Sequence, residues 1–309
     1  MIELLSLIQE QIDKPKAVVM AGGGGTGKTF LLKQLDLTSL TQFNPDKYVE
    51  DPDHPYYKKL SPATSQVAKD VAAASEEGIS FVWDTTASNP SKIQQLLDRG
   101  YGVYMIMVYA HPMISYAANF ERERSLPSLA VFSTWRNVYQ LISKYKEMLG
   151  DNLSIYVSDR GGKYKKEVEE FNKAAERGVN GVKEYLKIYN EKHGAGKSSF
   201  FDPVKMSAEE EKAFDNAVAN LDYDRNNRSE DKAIKQAFLK LYQKNGVGPG
   251  DDQLLKARDD FRLKREKSQK RLDDVLENIA EMLFSSEFQE LLKTSSVADI
   301  DKKVQKFLT

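Results

Sequence analysis

The sequence contains no cysteine and only three histidines, His54, His111 and His193. The absence of cysteine excludes disulfide scaffolds, thiol nucleophiles and cysteine-ligated zinc sites, and three scattered histidines argue against a histidine-rich metal centre. An excess of one charge is lacking as well, because 45 Lys and Arg residues stand against 46 Asp and Glu residues. This balance argues against a chain that is held to nucleic acid by bulk charge.

Long hydrophobic runs are also missing. The longest nearly unbroken one, Val103–Ala110, is far shorter than the roughly 18 residues that a membrane-spanning helix needs. Near the N-terminus, Glu3 stands where a secretory signal would carry basic residues. We therefore expect a cytoplasmic protein without membrane segments. A chain of 309 residues, 40% of them hydrophobic, is long enough for about two domains.

The first half of the chain alternates short apolar runs with helical patterns. The runs typical of buried strands are residues 17–21, 79–83, 103–109 and 153–157, with a weaker one near 41–43. Between them, helical patterns cover residues 62–77, 90–99 and 131–148. Strands that are apolar on both faces and alternate with helices predict an α/β fold, in which a parallel sheet is flanked by helices.

A glycine-rich motif follows the first predicted strand and precedes a helical run, residues 30–35. It fits the pattern G-x-x-x-x-G-K-[ST] and consists of Gly22, Gly23, Gly24, Gly25, Thr26, Gly27, Lys28 and Thr29. Glycines let the backbone N–H groups approach phosphate oxygens, and the N-terminus of the following helix adds partial positive charge. Lys28 would bridge the β- and γ-phosphates and the Thr29 hydroxyl would ligate Mg²⁺. The motif thus predicts a P-loop NTPase-type fold.

Two other segments imitate nucleotide motifs. His193–Ser198 resembles the end of a P-loop, but Glu191 stands in the place of the first glycine and no strand precedes it, so we interpret it as a linker. Asp159–Gly162 imitates the D-x-x-G of GTPases, but no N-K-x-D element follows it. A GTPase is therefore disfavoured.

Carboxylates and arginines appear in the order that phosphoryl transfer requires. Asp46 lies about where a second strand would end beside the P-loop, and Asp84 ends the strand that contains Trp83. Arg122 and Arg124 follow the long apolar strand, where a lid would lie. A kinase needs a carboxylate to accept the proton of the acceptor hydroxyl, a second carboxylate near Mg²⁺, and arginines for the charge of the transferred group.

Together these segments resemble the zeta-toxin-like small P-loop kinases, relatives of polynucleotide 5′-kinases and chloramphenicol phosphotransferase. The similarity covers roughly residues 15–160, and its more specific part is an Asp followed eight residues later by His-Pro, as in Asp46–Pro55. The resemblance implies an ATP-Mg²⁺-dependent kinase with Asp46 as the base. Lys28 and Thr29 would then bind phosphate and Mg²⁺, and Asp84 would face the metal or the substrate.

The resemblance also assigns the lid charges to Arg122 and Arg124. The sequence departs from the family here, since Ser125-Leu126-Pro127 stands where a Gly-Arg pair often precedes the proline. Which arginine reaches the γ-phosphate is therefore open. Members of the family also differ widely in acceptor, so the resemblance implies the fold and the donor better than the substrate.

Beyond about Tyr164 the sequence becomes helix-forming and densely charged. We expect a P-loop kinase domain over residues 1–192, a linker over 193–206 and a C-terminal all-helical domain over 207–309. Residues 256–271 carry eight basic residues against three acids. They form either an ordinary solvated helix face or a surface that contacts nucleic-acid phosphates.

Three hypotheses about function follow. The first is an ATP-dependent kinase that phosphorylates a hydroxyl of a small molecule or nucleotide-type acceptor. The second is a polynucleotide or modified-base kinase guided by the basic helix at 256–271. The third is a nucleotide-binding switch with a helical partner-binding arm, which would have no need of Asp46.

Overall fold

The computed structural model describes residues 14–37, 39–57, 60–121, 128–193 and 270–309. Its centre is one sheet of five strands in the order β2-β3-β1-β4-β5, and all neighbouring strands are parallel. The strands are β1 (Lys16–Ala21), β2 (Thr41–Phe43), β3 (Phe81–Thr85), β4 (Gly102–Tyr109) and β5 (Leu153–Val157). The expected α/β fold with a parallel sheet is confirmed.

Helices connect the strands and cover both faces of the sheet. Those before residue 194 are α1 (Lys28–Leu32), α2 (Pro45–Glu50), α3 (Leu60–Glu76), α4 (Pro90–Asp98), α5 (Pro112–Phe120), α6 (Ser128–Tyr139), α7 (Ile142–Leu149), α8 (Lys165–Ala175) and α9 (Gly178–His193). The C-terminal helices are α10, described over residues 270–284, α11 (Ser286–Leu291) and α12 (Val297–Leu308). No helix of the described residues combines the length and apolar composition that a membrane crossing requires.

The central strands are apolar on both faces because each face has its own core. In β1, Val19 packs into the larger core and Val18 and Met20 into the smaller one, and all three are fully buried. The same alternation holds in β4, where Met105 and Ile106 belong to opposite cores. Continuous apolar strands are therefore explained by helices on both sides of the sheet.

Several element boundaries differ from the sequence-based expectation. Residues 131–148 form two helices, α6 and α7, because a turn at Gln140 and Leu141 separates them. The third strand begins at Phe81 instead of Ile79, since Gly78 has φ +69° and the Ile79 N–H closes the end of α3 by bonding the Ala74 carbonyl. α1 is shorter than predicted and ends at Leu32.

Residues 270–309, here called the C-terminal clasp, pack on both faces of the sheet. Val275, Ile279 and Phe288 lie in the larger core, whereas Ile300 and Val304 lie in the smaller one. The clasp passes from one face to the other along the edge strand β5. The clasp therefore contributes to the same cores as the P-loop part of the chain.

Hydrogen bonds hold the clasp in this position. Along β5, the Ser295 N–H bonds the Ile155 carbonyl at 2.7 Å, and the Val157 N–H bonds the Thr294 hydroxyl at 3.1 Å. At the C-terminus, the Lys16 ammonium donates to the Leu308 carbonyl at 2.6 Å. The two contacts along β5 cover polar groups that an edge strand otherwise leaves open to pairing with other chains.

Some expectations fall outside the described residues. These are the positions of Arg122 and Arg124, the linker after His193 and most of the basic segment 256–271. The division into domains at residues 193–206 stays a prediction.

Candidate active site

The carboxyl ends of the strands open into a cavity of about 910 Å³. In an open parallel sheet, crevices form beyond the strand ends where the strand order reverses. β1 is such a point, because its neighbours are β3 on one side and β4 on the other. The cavity lies around the loop that follows β1, which is the glycine-rich motif.

Two glycines of this loop lie too close to other backbone atoms for a side chain. A Cβ on Gly22 would lie 2.6 Å from the Val108 carbonyl oxygen, and one on Gly25 would lie 2.9 Å from that of Ser115. Gly25 also has φ +80°, a conformation that residues with a Cβ rarely adopt. The glycines are therefore required by the packing of the loop on β4 and α5.

The loop presents amide donors to the cavity. Among the hydrogen bonds of the described residues, none uses the backbone N–H of Gly24, Gly25 or Thr26, and all three residues line the cavity. The Lys28 ammonium folds back on the Gly22 and Gly23 carbonyls, at 2.9 and 3.1 Å. Unused N–H groups around a lysine form a cradle for phosphate oxygens.

Asp84 faces this lysine from the end of β3. Its carboxylate lies 3.9 Å from the Lys28 ammonium. The residue as a whole is only 7% exposed. The Asn44 amide donates to it at 3.3 Å. Asp84 therefore lies at the P-loop, as the sequence pattern predicts, and the register of β1 against β3 explains why, since Met20 pairs with Asp84.

Asp46 lines the same cavity as the P-loop. It lies at the start of α2, directly after β2, where Asn44 caps the helix by accepting the Asp46 N–H at 2.8 Å. An Asn before Pro45 is a pattern typical of a helix start, which is the sequence signal that could have identified Asn44. Asn44 thus links the two carboxylates, because it caps the helix of one and bonds the other.

Aromatic contacts fix the helix that carries Asp46. The Tyr48 hydroxyl donates to the Asp70 carboxylate on α3 at 2.8 Å, and burial together with this bond raises the pKa of Tyr48. The Tyr48 ring stacks on His54 with 4.4 Å between ring centroids. His54 therefore contacts the helix that carries Asp46. It is not one of the described residues that line the cavity.

The loop after β5 forms the opposite wall. Arg160 has φ +53° and its guanidinium donates to the Gly25 carbonyl at 3.0 Å. Asp159 closes the turn by accepting the Gly161 N–H at 2.8 Å. In the sequence this segment only imitates a GTPase motif, and no pattern in it indicates its contact with the P-loop.

A buried tyrosine is hydrogen-bonded to the backbone of the P-loop. The Tyr139 hydroxyl accepts the Gly23 N–H at 3.4 Å and donates to the Val108 carbonyl at 2.7 Å. Burial raises the pKa of Tyr139 far above its usual value. Its ring lies 5.0 Å from those of Tyr109 and Trp135. No motif in the sequence identifies this residue.

The N-terminal part of the chain matches a known family. Residues 3–139 match the model of the Zeta toxin family. The resemblance to the zeta-toxin-like P-loop kinases is confirmed. The zeta-toxin match includes the P-loop, Asp46, Asp84 and Tyr139, and it supports a phosphotransferase of the P-loop kinase type. It covers slightly less than half of the chain and ends before the loop of Arg160.

Solved structures show limited similarity to this chain. A proposed kinase from Chloroflexus aurantiacus is 17% identical, with 35% of this chain and 66% of that chain covered and a TM-score of 0.29. The PezAT toxin–antitoxin system of Streptococcus pneumoniae is 16% identical, with 61% and 94% covered and a TM-score of 0.35.

The AvrRxo1-ORF1:AvrRxo1-ORF2 complex with ATP is 15% identical, with 81% of this chain and 82% of that chain covered and a TM-score of 0.40. No curated protein sequence matches the chain significantly.

Proposed function

We propose that this protein is an ATP-dependent kinase that transfers the γ-phosphoryl group to a hydroxyl of a small molecule or nucleotide-type acceptor. The observation that carries the proposal is the shared cavity, which has the P-loop on one wall and Asp46 on another. A nucleotide-binding switch needs only the wall that the P-loop forms. A carboxylate opposite the cradle is what a transfer reaction requires in addition.

The P-loop supplies the donor site. The unused N–H groups of Gly24, Gly25 and Thr26 would bind phosphate oxygens of ATP, and Lys28 would exchange its carbonyl contacts for the β- and γ-phosphates. This exchange is favourable because a charge-assisted bond to phosphate is stronger than a bond to a neutral carbonyl.

Mg²⁺ fits the residues at this point. Thr29 and Asp84 both line the cavity and offer hydroxyl and carboxylate oxygens, the ligands that Mg²⁺ prefers, while phosphate oxygens and water would complete the shell. These two residues would hold the ion. When bound, it would neutralise charge on the transferred phosphoryl group.

Asp46 acts as the general base in this proposal. The acceptor oxygen attacks the γ-phosphorus in line, and its proton passes to the Asp46 carboxylate. The bond between the γ-phosphorus and the β,γ-bridging oxygen breaks, and ADP leaves with that electron pair. Arg122 and Arg124, assigned to the lid by the resemblance, lie outside the described residues and stay a prediction.

The test combines two variants with labelled donor. Purified protein would be incubated with γ-labelled ATP and separate pools of nucleotide sugars, nucleosides and oligonucleotides. We expect Asp46→Asn to reduce transfer by about 10²- to 10⁴-fold while ATP binding is retained. Glu50→Gln is the matched control, since Glu50 is exposed on the same helix and does not line the cavity.

Lys28→Ala distinguishes donor binding from chemistry. It should lose both ATP binding and transfer, by at least about a hundredfold, because it removes the charge that faces the phosphates. Lys33→Ala, exposed on the solvent side after α1, is its control. Undiminished transfer by Asp46→Asn would remove the proposed base, and ATP hydrolysis without any labelled acceptor would favour the switch.

The polynucleotide kinase hypothesis depends on residues 256–271, of which only 270 and 271 are described. It stays a prediction, and the oligonucleotide pool tests it.

A further inference from the structure

The cavity has two sides, divided by the P-loop. On the side of β5, its wall is the loop of Arg160. On the side of β3 and β2, its wall comprises the start of α2, three residues of α3, the end of β3 and one residue of α4, Lys92. Asp46 lies on this second side, so this is where the acceptor would bind under the proposed function.

The described cations of the cavity differ in what they contact. Lys28 bonds two P-loop carbonyls and lies 3.9 Å from Asp84. Arg160 bonds the Gly25 carbonyl on the far side. The ion pairs found in the described part of the chain do not include Lys92. Lys92 is exposed and lines the cavity, so its positive charge faces the cavity with no carboxylate of the described residues paired to it.

An aromatic ring lies beside Lys92 at this wall. Its ammonium lies 6.0 Å from the centroid of the Trp83 ring. Trp83 is only 5% exposed and precedes Asp84 in β3, so the ring is fixed by the sheet. A cation over an aromatic face is attracted by the ring while its N–H donors stay available, and this favours one position of an otherwise flexible side chain.

From this arrangement we propose that Lys92 binds an anionic group of the acceptor, a phosphate or a carboxylate. The acceptor then carries a negative charge in addition to the hydroxyl that receives the phosphoryl group. Lys92 is a specificity-determining residue in this inference, which depends on the proposed function. The physical reason is that Lys28 already faces Asp84 and Arg160 bonds the P-loop, whereas Lys92 lies on the side of Asp46 outside the described ion pairs, so that its charge is available to an anionic group of the acceptor.

The test compares acceptors that differ in charge. γ-Labelled ATP would be offered with paired pools: nucleosides against nucleoside monophosphates, and free sugars against sugar phosphates and nucleotide sugars. We expect label in the charged member of a pair. Lys92→Met should raise KM for that acceptor by roughly ten- to hundredfold, with KM for ATP unchanged, because a bond to a charged group is lost. Lys92→Arg should restore most of the affinity.

Lys69→Met is the matched control. Lys69 is exposed on α3, next to a residue that lines the cavity, but does not line it itself. It should leave both KM values unchanged. Urea unfolding of each variant separates a loss of binding from a loss of folding, and increasing salt should raise KM of the wild type more than that of Lys92→Met.

The outcomes separate this inference from the proposed function. Equal labelling of neutral and charged acceptors, with KM unaffected by Lys92→Met, would overturn the role of Lys92 and leave the kinase intact. Binding of ATP with no label in any pool would overturn the kinase, and the inference with it.

Discussion

The cavity at the strand ends and the C-terminal clasp are built in opposite ways. The cavity wall contains unused amide donors, a cation outside the described ion pairs and two non-glycine residues with positive φ at or beside it, Ala87 and Arg160. The clasp contains buried apolar side chains and capped helices. Ser285 accepts the Phe288 N–H, and Ser296 accepts the Asp299 N–H.

The difference indicates a division of labour. Unpaired polar groups and strained backbone reduce stability and are tolerated where a ligand will use them. Satisfied caps and buried apolar area increase stability and carry no chemistry. The zeta-toxin match ends at residue 139, so the clasp lies outside it, although its side chains belong to the same cores. We expect changes in the clasp to affect folding and changes in the cavity to affect catalysis.

The largest effect on stability is expected in the clasp. Ile300→Ala removes a fully buried side chain from the smaller core and should lower the free energy of unfolding by about 3 kcal/mol. Lys303→Ala, exposed on the same helix, should change it little. Urea denaturation measures both. If Ile300→Ala changed KM for ATP but left the free energy of unfolding unchanged, the clasp would affect catalysis and the contrast between the two regions would be wrong.

A pH effect is expected at His111, which lies in a second cavity that residues of α8 and the clasp also line, Asn172 and Gln289 among them. Burial lowers the pKa of His111 from 6.5 to about 4, and its Nδ1 accepts the Met113 N–H. The unfolded chain binds this proton more readily, so stability falls as the pH decreases from about 6.5 towards 4, by about 2 kcal/mol between about pH 7.5 and about pH 5.

Urea unfolding at several pH values tests this. His111→Asn keeps a cap for α5 but does not titrate, so its stability should depend less on pH in this interval. Identical pH profiles for both proteins would show that other groups cause the dependence.

Tyr139→Phe tests the contact between the core and the P-loop. Removal of the hydroxyl removes its bonds to the Val108 carbonyl and the Gly23 N–H and should cost about 1 to 2 kcal/mol of stability. Because Gly23 directly precedes the residues whose N–H groups form the cradle, we also expect weaker binding of ATP, measured by titration calorimetry. Tyr145→Phe, which removes a buried hydroxyl that bonds the Ala87 carbonyl, is the comparison. Loss of ATP affinity in both variants would indicate that a less stable core, and not the lost contact with the P-loop, weakens the binding of ATP.

The smallest effect is expected for Ala87→Gly. Ala87 has φ +51°, which glycine adopts without strain, and this gain offsets the loss of a buried methyl group, so the substitution should change stability by less than about 1 kcal/mol. Ala73→Gly, in the exposed interior of α3, should lower it by about 1 kcal/mol. Equal destabilisation by both, measured by thermal unfolding, would contradict the strain at residue 87.

The amino-acid sequence by itself determined the strands, the P-loop and the expectation that Asp46 and Asp84 lie near it. These features depend on neighbouring residues: apolar runs form strands, glycines allow one particular loop, and an Asn-Pro pair starts a helix. The break between α6 and α7 was missed, because the apolar pattern continues across Gln140 and Leu141 and only packing decides where one helix ends.

Only the tertiary structure decided which distant residues complete the cavity and which cover the sheet. Arg160 and Lys92 lie far from the P-loop in the chain, and each belongs to a segment that is typical of solvated loops or helix faces. The clasp lies more than 100 residues beyond β5 in the chain, but it packs on both faces of the sheet. Such contacts form because burying apolar area in a shared core offsets the entropy of closing long loops, and this balance cannot be determined from any single segment of sequence.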